Sequence, residues 1–116
     1  MAIPISDMQG LDLWRRAAVA GVRRDAPDLS ARQMAVLLTV YLTTPPHTVR
    51  GLSEDLAISK PAVTRALDRL GELEMIRRRV DESDRRSVLI QRTVKGSVFL
   101  RDWGDIVAGA AAEMES

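Results

Sequence analysis

The sequence predicts a mostly helical α+β domain of five helices and one small β-hairpin, and three observations carry that prediction. Apolar residues recur at helical spacing over most of the chain. Between residues 76 and 91 the spacing drops to every second residue. Residues suited to starting and stopping helices stand at the boundaries these periods define. At 116 residues, 46% hydrophobic and 28% charged, the chain is large enough for one aliphatic core of its own, and a second catalytic domain has no room.

The first helix is expected over 11–24, where Trp14, Ala17, Ala18 and Val22 fall near one stripe and Asp25, Ala26 and Pro27 close it. The second, over 30–43, opens at Ser30 with Gln33 three residues on, a capping-box arrangement. It carries Met34, Leu37, Leu38, Tyr41 and Leu42 at core spacing, and Thr44, Pro45 and Pro46 stop it. Two short helices follow, 49–57 with Leu52, Leu56 and the adjacent Ile58 apolar, and 60–73 with Val63, Ala66, Leu67, Leu70 and Leu73 on one side. The break between them is chemically specified. Ser59 is a good N-cap, and Pro61 sits in a first turn where its missing N–H costs nothing. Strands are expected over 76–80, where apolar residues alternate with arginines, and 86–91, where Val88 and Ile90 share a face. Asp81, Glu82, Ser83 and Asp84 make the connecting tip, since short polar side chains bond nearby backbone in turns. Thr93 caps a last helix over 93–112, with Val94, Val98, Trp103, Val107, Ala110 and, further on, Met114 spaced three to five apart.

Composition excludes several functions. With no cysteine there is no disulfide framework, thiolate metal site or thiol sensor. No apolar run is long enough to read as a membrane span, and the opening residues lack a basic, then apolar, leader pattern, so a cytoplasmic location is expected. There is no Gly-rich phosphate loop, no Ser-His-Asp set and no readable pair of carboxylates, so the chain is not expected to be an enzyme and no cofactor is implied. His47, beside Pro45 and Pro46 without Cys or His partners, reads as a loop residue; Met1, Met8, Met34, Met75 and Met114 read as packing or chain ends.

Charge is unevenly spread. Arg50 to Lys95 holds 11 basic and 8 acidic residues, a net of +3, against −2 for the remainder. Two helices joined by a tight turn and followed by a basic hairpin form a winged helix-turn-helix. One α-helix fits the major groove of B-DNA, and an arginine-tipped ribbon can follow phosphates or enter the minor groove beside it. Lys60, Thr64, Arg65 and Arg69 lie off the apolar stripe of their helix, and Arg77, Arg78, Arg79, Arg85 and Arg86 load the hairpin.

The run Thr48-Val49-Arg50-Gly51-Leu52-Ser53-Glu54-Asp55-Leu56-Ala57-Ile58-Ser59-Lys60-Pro61-Ala62-Val63-Thr64-Arg65-Ala66-Leu67-Asp68-Arg69-Leu70 resembles the helix-turn-helix of the MarR family. Asp81-Glu82-Ser83-Asp84-Arg85-Arg86, with Thr93 and Gly96 downstream, resembles that family's wing, including its Asp-x-Arg signature at Asp84 and Arg86. The likeness covers about residues 30 to 96. It implies a single domain over 1–116, with a DNA-binding lobe at 30–92 and dimerisation helices at 1–28 and 93–116. The expected partners are duplex DNA and a second copy of the chain, and the expected role is that of a repressor. Implied DNA contacts are Arg50, Ser59, Lys60, Pro61, Ala62, Thr64, Arg65, Arg69, Arg78, Asp84, Arg85 and Arg86. Arg86 would enter the minor groove, Asp84 would orient it through a charge-assisted hydrogen bond, Arg85 would meet phosphate, and Arg69 would touch backbone only. Leu11, Trp14, Val98, Trp103, Val107 and Met114 are the implied dimer residues. Such proteins often bind phenolic or other aromatic effectors, though no residue here names one.

Two positions depart from the family's pattern. Glu74 stands where a glycine able to take positive φ is usual, so the turn is either rebuilt or strained. Arg92 stands where a leucine is usual, so the contact beneath the last helix is changed or lost. The chain also ends about twenty residues after Thr93, short of the further helix that such proteins generally carry. Plainer readings stand beside these: Arg77 to Arg79 as a solvated strand edge, Asp84 and Arg86 as a surface ion pair, Trp14 and Trp103 as ordinary core. Two other functions stay open, a protein-interaction module that has lost DNA binding and an architectural protein that binds DNA without sequence preference.

Overall fold

The computed structural model describes residues 4–114; Met1, read above as chain-end packing, and the outermost residues of the two expected dimerisation segments lie outside them. The order is α1 (Asp7–Arg23), α2 (Ala31–Leu42), α3 (Val49–Leu56), α4 (Lys60–Glu72), β1 (Ile76–Asp81), β2 (Asp84–Arg92) and α5 (Val94–Met114). This is the expected mostly helical fold with a β-hairpin. The described residues fall into two compact units, one of α1 with the end of α5 and one of Leu29–Leu100.

Local chemistry sets the helix ends. Ser30 and Gln33 form the expected capping box at the start of α2, Thr48 caps α3 through the Gly51 N–H, and Ser59 caps α4 through the Ala62 N–H, with Pro61 in the first turn. Helix α1 starts four residues before the expected position. Ser6 and Gln9 form a second capping box there, which satisfies end donors one turn before the expected start.

The lobe Leu29–Leu100 closes on an aliphatic core of Val36, Leu37 and Val40 from α2, Leu52 from α3, Val63, Ala66, Leu67 and Leu70 from α4, with Met75, Ile76 and Ile90. The inner face of α2 is rotated from the expected one: Leu38 and Leu42 are exposed while Val36 and Val40 are buried. Tyr41 fixes that rotation. Its hydroxyl donates to the Met75 carbonyl at 2.7 Å, lies 3.1 Å from the Thr93 carbonyl and accepts from the Thr93 N–H at 2.8 Å. Thr93 Oγ1 donates to the Glu74 carbonyl and accepts from the Gly96 N–H. Gly96 is buried here, and a Cβ added to it would collide with the Tyr41 hydroxyl and the Met75 carbonyl. The first turn of α5 is thus locked to the lobe, and the compact unit runs on to Leu100.

Both departures resolve here. Glu74 takes φ 61, the left-handed conformation, so the turn keeps its shape at a strain cost of order 1 kcal/mol or more. Its carboxylate sits 3.7 Å from Lys95 Nζ. Arg92 Nε donates to the Val40 carbonyl and Nη2 to the Thr43 carbonyl, closing the C-terminal end of α2 as a cation suits a helix end, with the guanidinium 5.9 Å from the Tyr41 ring centre. His47 is a loop residue, as read, but a buried one. Its Nε2 lies 3.2 Å from the Thr43 carbonyl, and its own carbonyl accepts from the Ile90 N–H, which pins β2 to the segment before α3.

In the α1/α5 unit the inner stripes differ from those expected. The inward side of α1 holds Gly10, Leu13, Ala17, Ala20 and Gly21, so Trp14 and Val22 are exposed at 77% and 84%. Gly21 has a cause: an added Cβ would strike the Trp103 indole, over which the Arg24 guanidinium sits at 5.4 Å. Along the end of α5 the inner positions are Trp103, Ile106 and Ala110, while Val107 faces solvent; earlier on the same helix, within the lobe, Phe99 is buried and Val94 and Val98 are exposed. Ala17, Trp103 and Ala110 face inward as expected, while Trp14, Val22, Val98 and Val107 do not, because small residues on α1 allow the close approach.

Candidate nucleic-acid interface

Helix α4 divides cleanly. Ala62, Val63, Ala66, Leu67 and Leu70 are buried, whereas Lys60, Pro61, Thr64, Arg65, Asp68 and Arg69 are exposed at spacings of three and four. Five of the expected contacts, Lys60, Pro61, Thr64, Arg65 and Arg69, therefore share one outward face. Ala62 is the correction. At 6% exposure its methyl belongs to the core, because position 62 falls on the i, i+4 row of Ala66. Ser59 is exposed, but its Oγ already accepts the Ala62 N–H at 3.2 Å, which leaves its hydroxyl proton for another partner. Arg50, on α3, reaches Glu54 one turn on at 3.2 Å, with both side chains exposed.

The tight turn into α4 rests on backbone geometry at Ala57, which takes φ 52 and ends α3 in the left-handed region. The Ile58 N–H reaches the Ser53 carbonyl, and Ser53 Oγ donates back to the Ile58 carbonyl at 2.6 Å. These bonds set the angle at which α4 leaves α3.

The hairpin is antiparallel, pairing Ile76 with Arg92, Arg78 with Ile90 and Val80 with Val88, and then Asp81 with Asp84. Between the last two pairs the register shifts, leaving Arg85, Arg86 and Ser87 without ladder partners on β1. Two aspartates build this tip. Asp81 Oδ1 accepts the Ser83 N–H at 3.0 Å and the Ser83 hydroxyl at 2.7 Å. The Ser83 hydroxyl, and then its N–H, hold the Asp81 carboxyl below the ordinary carboxylate value. Asp84 Oδ1 accepts the Arg86 N–H at 3.1 Å, and Oδ2 takes the Ser87 hydroxyl at 3.4 Å. The charge-assisted hydrogen bond between Asp84 and Arg86 thus runs to the Arg86 backbone N–H and leaves the guanidinium exposed.

The other hairpin arginines differ among themselves. Arg78 Nη2 donates to Asp68 Oδ1 on α4 at 2.6 Å, and Arg79 lies 3.9 Å from Glu82. Sequence reading missed Asp68 as the partner of Arg78. The signal was present, since strand alternation puts Arg78 on the face of buried Ile76.

Of the expected dimer residues, Leu11, Trp14, Val98 and Val107 are exposed, Met114 is half-buried, and Trp103 is half-buried beneath Arg24. Among the described residues no three side chains gather that could hold a metal ion, and no helix is long and apolar enough to cross a membrane.

The sequence profile of the MarR family matches residues 29–88, just over half the chain. A search of curated proteins gives no match. Among solved structures, the S. aureus MepR–DNA complex is similar at 23% identity, covering 94% of this chain and 83% of that one, with a TM-score of 0.73. A mutant of MarR from E. coli complexed with operator DNA is similar at 22% identity, covering 92% and 71%, with a TM-score of 0.69. The transcriptional regulator Tm0710 from Thermotoga maritima is similar at 21% identity, covering 92% and 67%, with a TM-score of 0.64. A profile match across the helix-turn-helix and most of the wing, on a fold that these structures share, decides the assignment: the chain belongs to the MarR family of winged helix-turn-helix regulators.

Proposed function

We propose that the chain is a cytoplasmic, sequence-specific regulator that binds double-stranded DNA as a homodimer and represses by occupying its operator, acting through binding and not through catalysis. One observation carries this reading. Within the lobe, α4 presents Lys60, Thr64, Arg65 and Arg69 outward, while a break in the hairpin ladder frees Arg85 and Arg86 from pairing. The first set suits base edges and phosphates in the major groove, the second a neighbouring minor groove. Similar structures solved with DNA support the same use of the fold. The homodimer is supported by the exposed apolar stripe of α1, where Met8, Leu11, Trp14 and Val22 stand at helical spacing, a composition suited to a subunit contact.

Selection of bound sequences from a random duplex pool tests the reading. A two-fold-related motif is expected to emerge; enrichment of no motif would leave an architectural binder, and no retained DNA an interaction module. Within that motif Arg65→Ala should relax base preference at its own positions, by about 1–3 kcal/mol of lost discrimination. Arg86→Ala should lower affinity more evenly, tracking minor-groove width. Identical preference profiles for the two variants would contradict that division of labour.

A further inference from the structure

Resting on the DNA-binding reading above, we propose that Arg78 is a positioning residue: its ion pair with Asp68 sets the tilt of the wing against α4, and Arg78 does not itself hold DNA. Three observations point there. Along β1, Arg78 alternates onto the face of Ile76, which is buried, so its side chain starts toward the body of the lobe. Its Nη2 lies 2.6 Å from Asp68 Oδ1, and a Cβ on Gly71 would stand 3.7 Å from the same nitrogen. The guanidinium therefore lies along the last turns of α4, over two residues three apart on one face, near the helix end where unpaired carbonyls favour a cation.

Asp68 itself calls for this account. A carboxylate on the outward face of a helix meant for a polyanion repels phosphate unless a cation neutralises it. Arg78 supplies that cation, and its own charge is spent in doing so.

The link also matters mechanically. Ile76 holds the base of the hairpin in the core, and two residues further out Arg78, paired across the ladder with buried Ile90, grips it again. From Arg78 to the tip at Ser83 the ribbon runs on for up to about 17 Å at roughly 3.3 Å per residue, so a small change of tilt at Arg78 is magnified at Arg86. Two elements that must reach separate grooves together are thereby held at one spacing before DNA arrives, and the energy available is that of a half-exposed ion pair.

The test is the sign of the effect of Asp68→Asn on binding to the duplex selected by the wild-type chain. Removing a negative charge from a DNA-facing helix should tighten binding by simple electrostatics. We expect instead a weakening of up to about fivefold, the range an exposed ion pair can supply. Arg78→Asp alone should weaken binding further, and adding Asp68→Arg, which restores net charge and pair together, should bring it back toward the wild-type value. Binding of Asp68→Asn equal to or tighter than wild type overturns the proposal. So does a swapped pair as weak as Arg78→Asp alone, since Arg78 would then be touching DNA. Amide exchange of the hairpin in the free chain gives a readout without DNA: faster exchange in Asp68→Asn is expected, and unchanged exchange contradicts the positioning role. Failure of the wild-type chain to bind any duplex would instead sink the DNA-binding reading, and the exchange measurement would still decide this one.

Discussion

The two units of the molecule are finished to different degrees. In the lobe Leu29–Leu100, aliphatic side chains from three helices and the hairpin are removed from solvent, and hydrogen bonds through Tyr41, Thr93 and Arg92 tie α2, the turn after α4 and the start of α5 together. In the α1/α5 unit the buried described residues are two alanines, Ala17 and Ala110, while Met8, Leu11, Trp14 and Val22 face solvent. The lobe has an aliphatic core of its own, whereas the other unit exposes apolar side chains that a core would normally hide, the stripe on which the proposed homodimer rests.

The sharpest way to break this contrast is at Gly96. Gly→Ala inside a helix ordinarily stabilises by up to about 1 kcal/mol through backbone entropy. Here the new methyl meets the Tyr41 hydroxyl and a backbone carbonyl, neither of which can give way freely. Gly96→Ala should therefore destabilise by about 2–3 kcal/mol, read as a lower midpoint in urea. An unchanged or raised midpoint would mean the lobe is looser than described.

On the opposite side, Trp14→Ala should leave the stability of the isolated chain within about 0.5 kcal/mol, since the indole covers little. The same change should weaken self-association by about 2 kcal/mol if Trp14 anchors the contact between copies. Sedimentation across a concentration series separates the two quantities, and association unaffected by the change would remove α1 from the interface.

Tyr41→Phe strips the hydroxyl from the Met75 carbonyl and the Thr93 N–H, and should cost about 1–3 kcal/mol. Arg92→Met, which keeps the stem but not the cap on α2, should cost about 1 kcal/mol. Equal losses for both variants would show the cap to be as important as the buried hydroxyl.

The smallest effect is on pH. Hydrogen bonds from Arg16, then Arg15, hold the Asp12 carboxyl below its ordinary value of 3.8, and the Ser83 hydroxyl and N–H lower Asp81 likewise. A carboxyl depressed in the folded state stabilises fully above its unfolded value and loses that contribution as pH falls through the folded one. These two groups should thus leave stability flat from neutral down to about pH 5 and lower it slightly below about pH 4. Asp12→Asn should flatten part of that acid limb in an unfolding series.

Much of the lobe was legible because its punctuation is chemical. Ser30 with Gln33, Ser59 with Pro61 and the aspartates at the wing tip each name a local geometry that tertiary packing had no reason to override. The stripes of α1 and α5 were legible only in part, at Ala17, Trp103 and Ala110. Gly21 is inward because Trp103 needs the space, a fact about a residue 82 positions away that periodicity cannot hold. Within the interface, exposure of Thr64, Arg65 and Arg86 followed from pattern, while Ala62 was misjudged because alanine fits either face of a helix. Glu74 and Arg92 could be recognised as departures but not as solutions, since each is answered by partners remote in sequence, Lys95 for one and the end of α2 for the other.

The central claim, that α4 and the wing tip form one cationic surface for duplex DNA, is tested most directly by titrating fluorescent duplex over a range of salt. Each phosphate contact should contribute about −0.9 to the slope of log affinity against log salt. The wild-type chain should show a steep slope, and Arg85→Ala with Arg86→Ala should reduce it by about 1 to 2. Binding indifferent to salt, or a slope that the double variant leaves untouched, would contradict the claim.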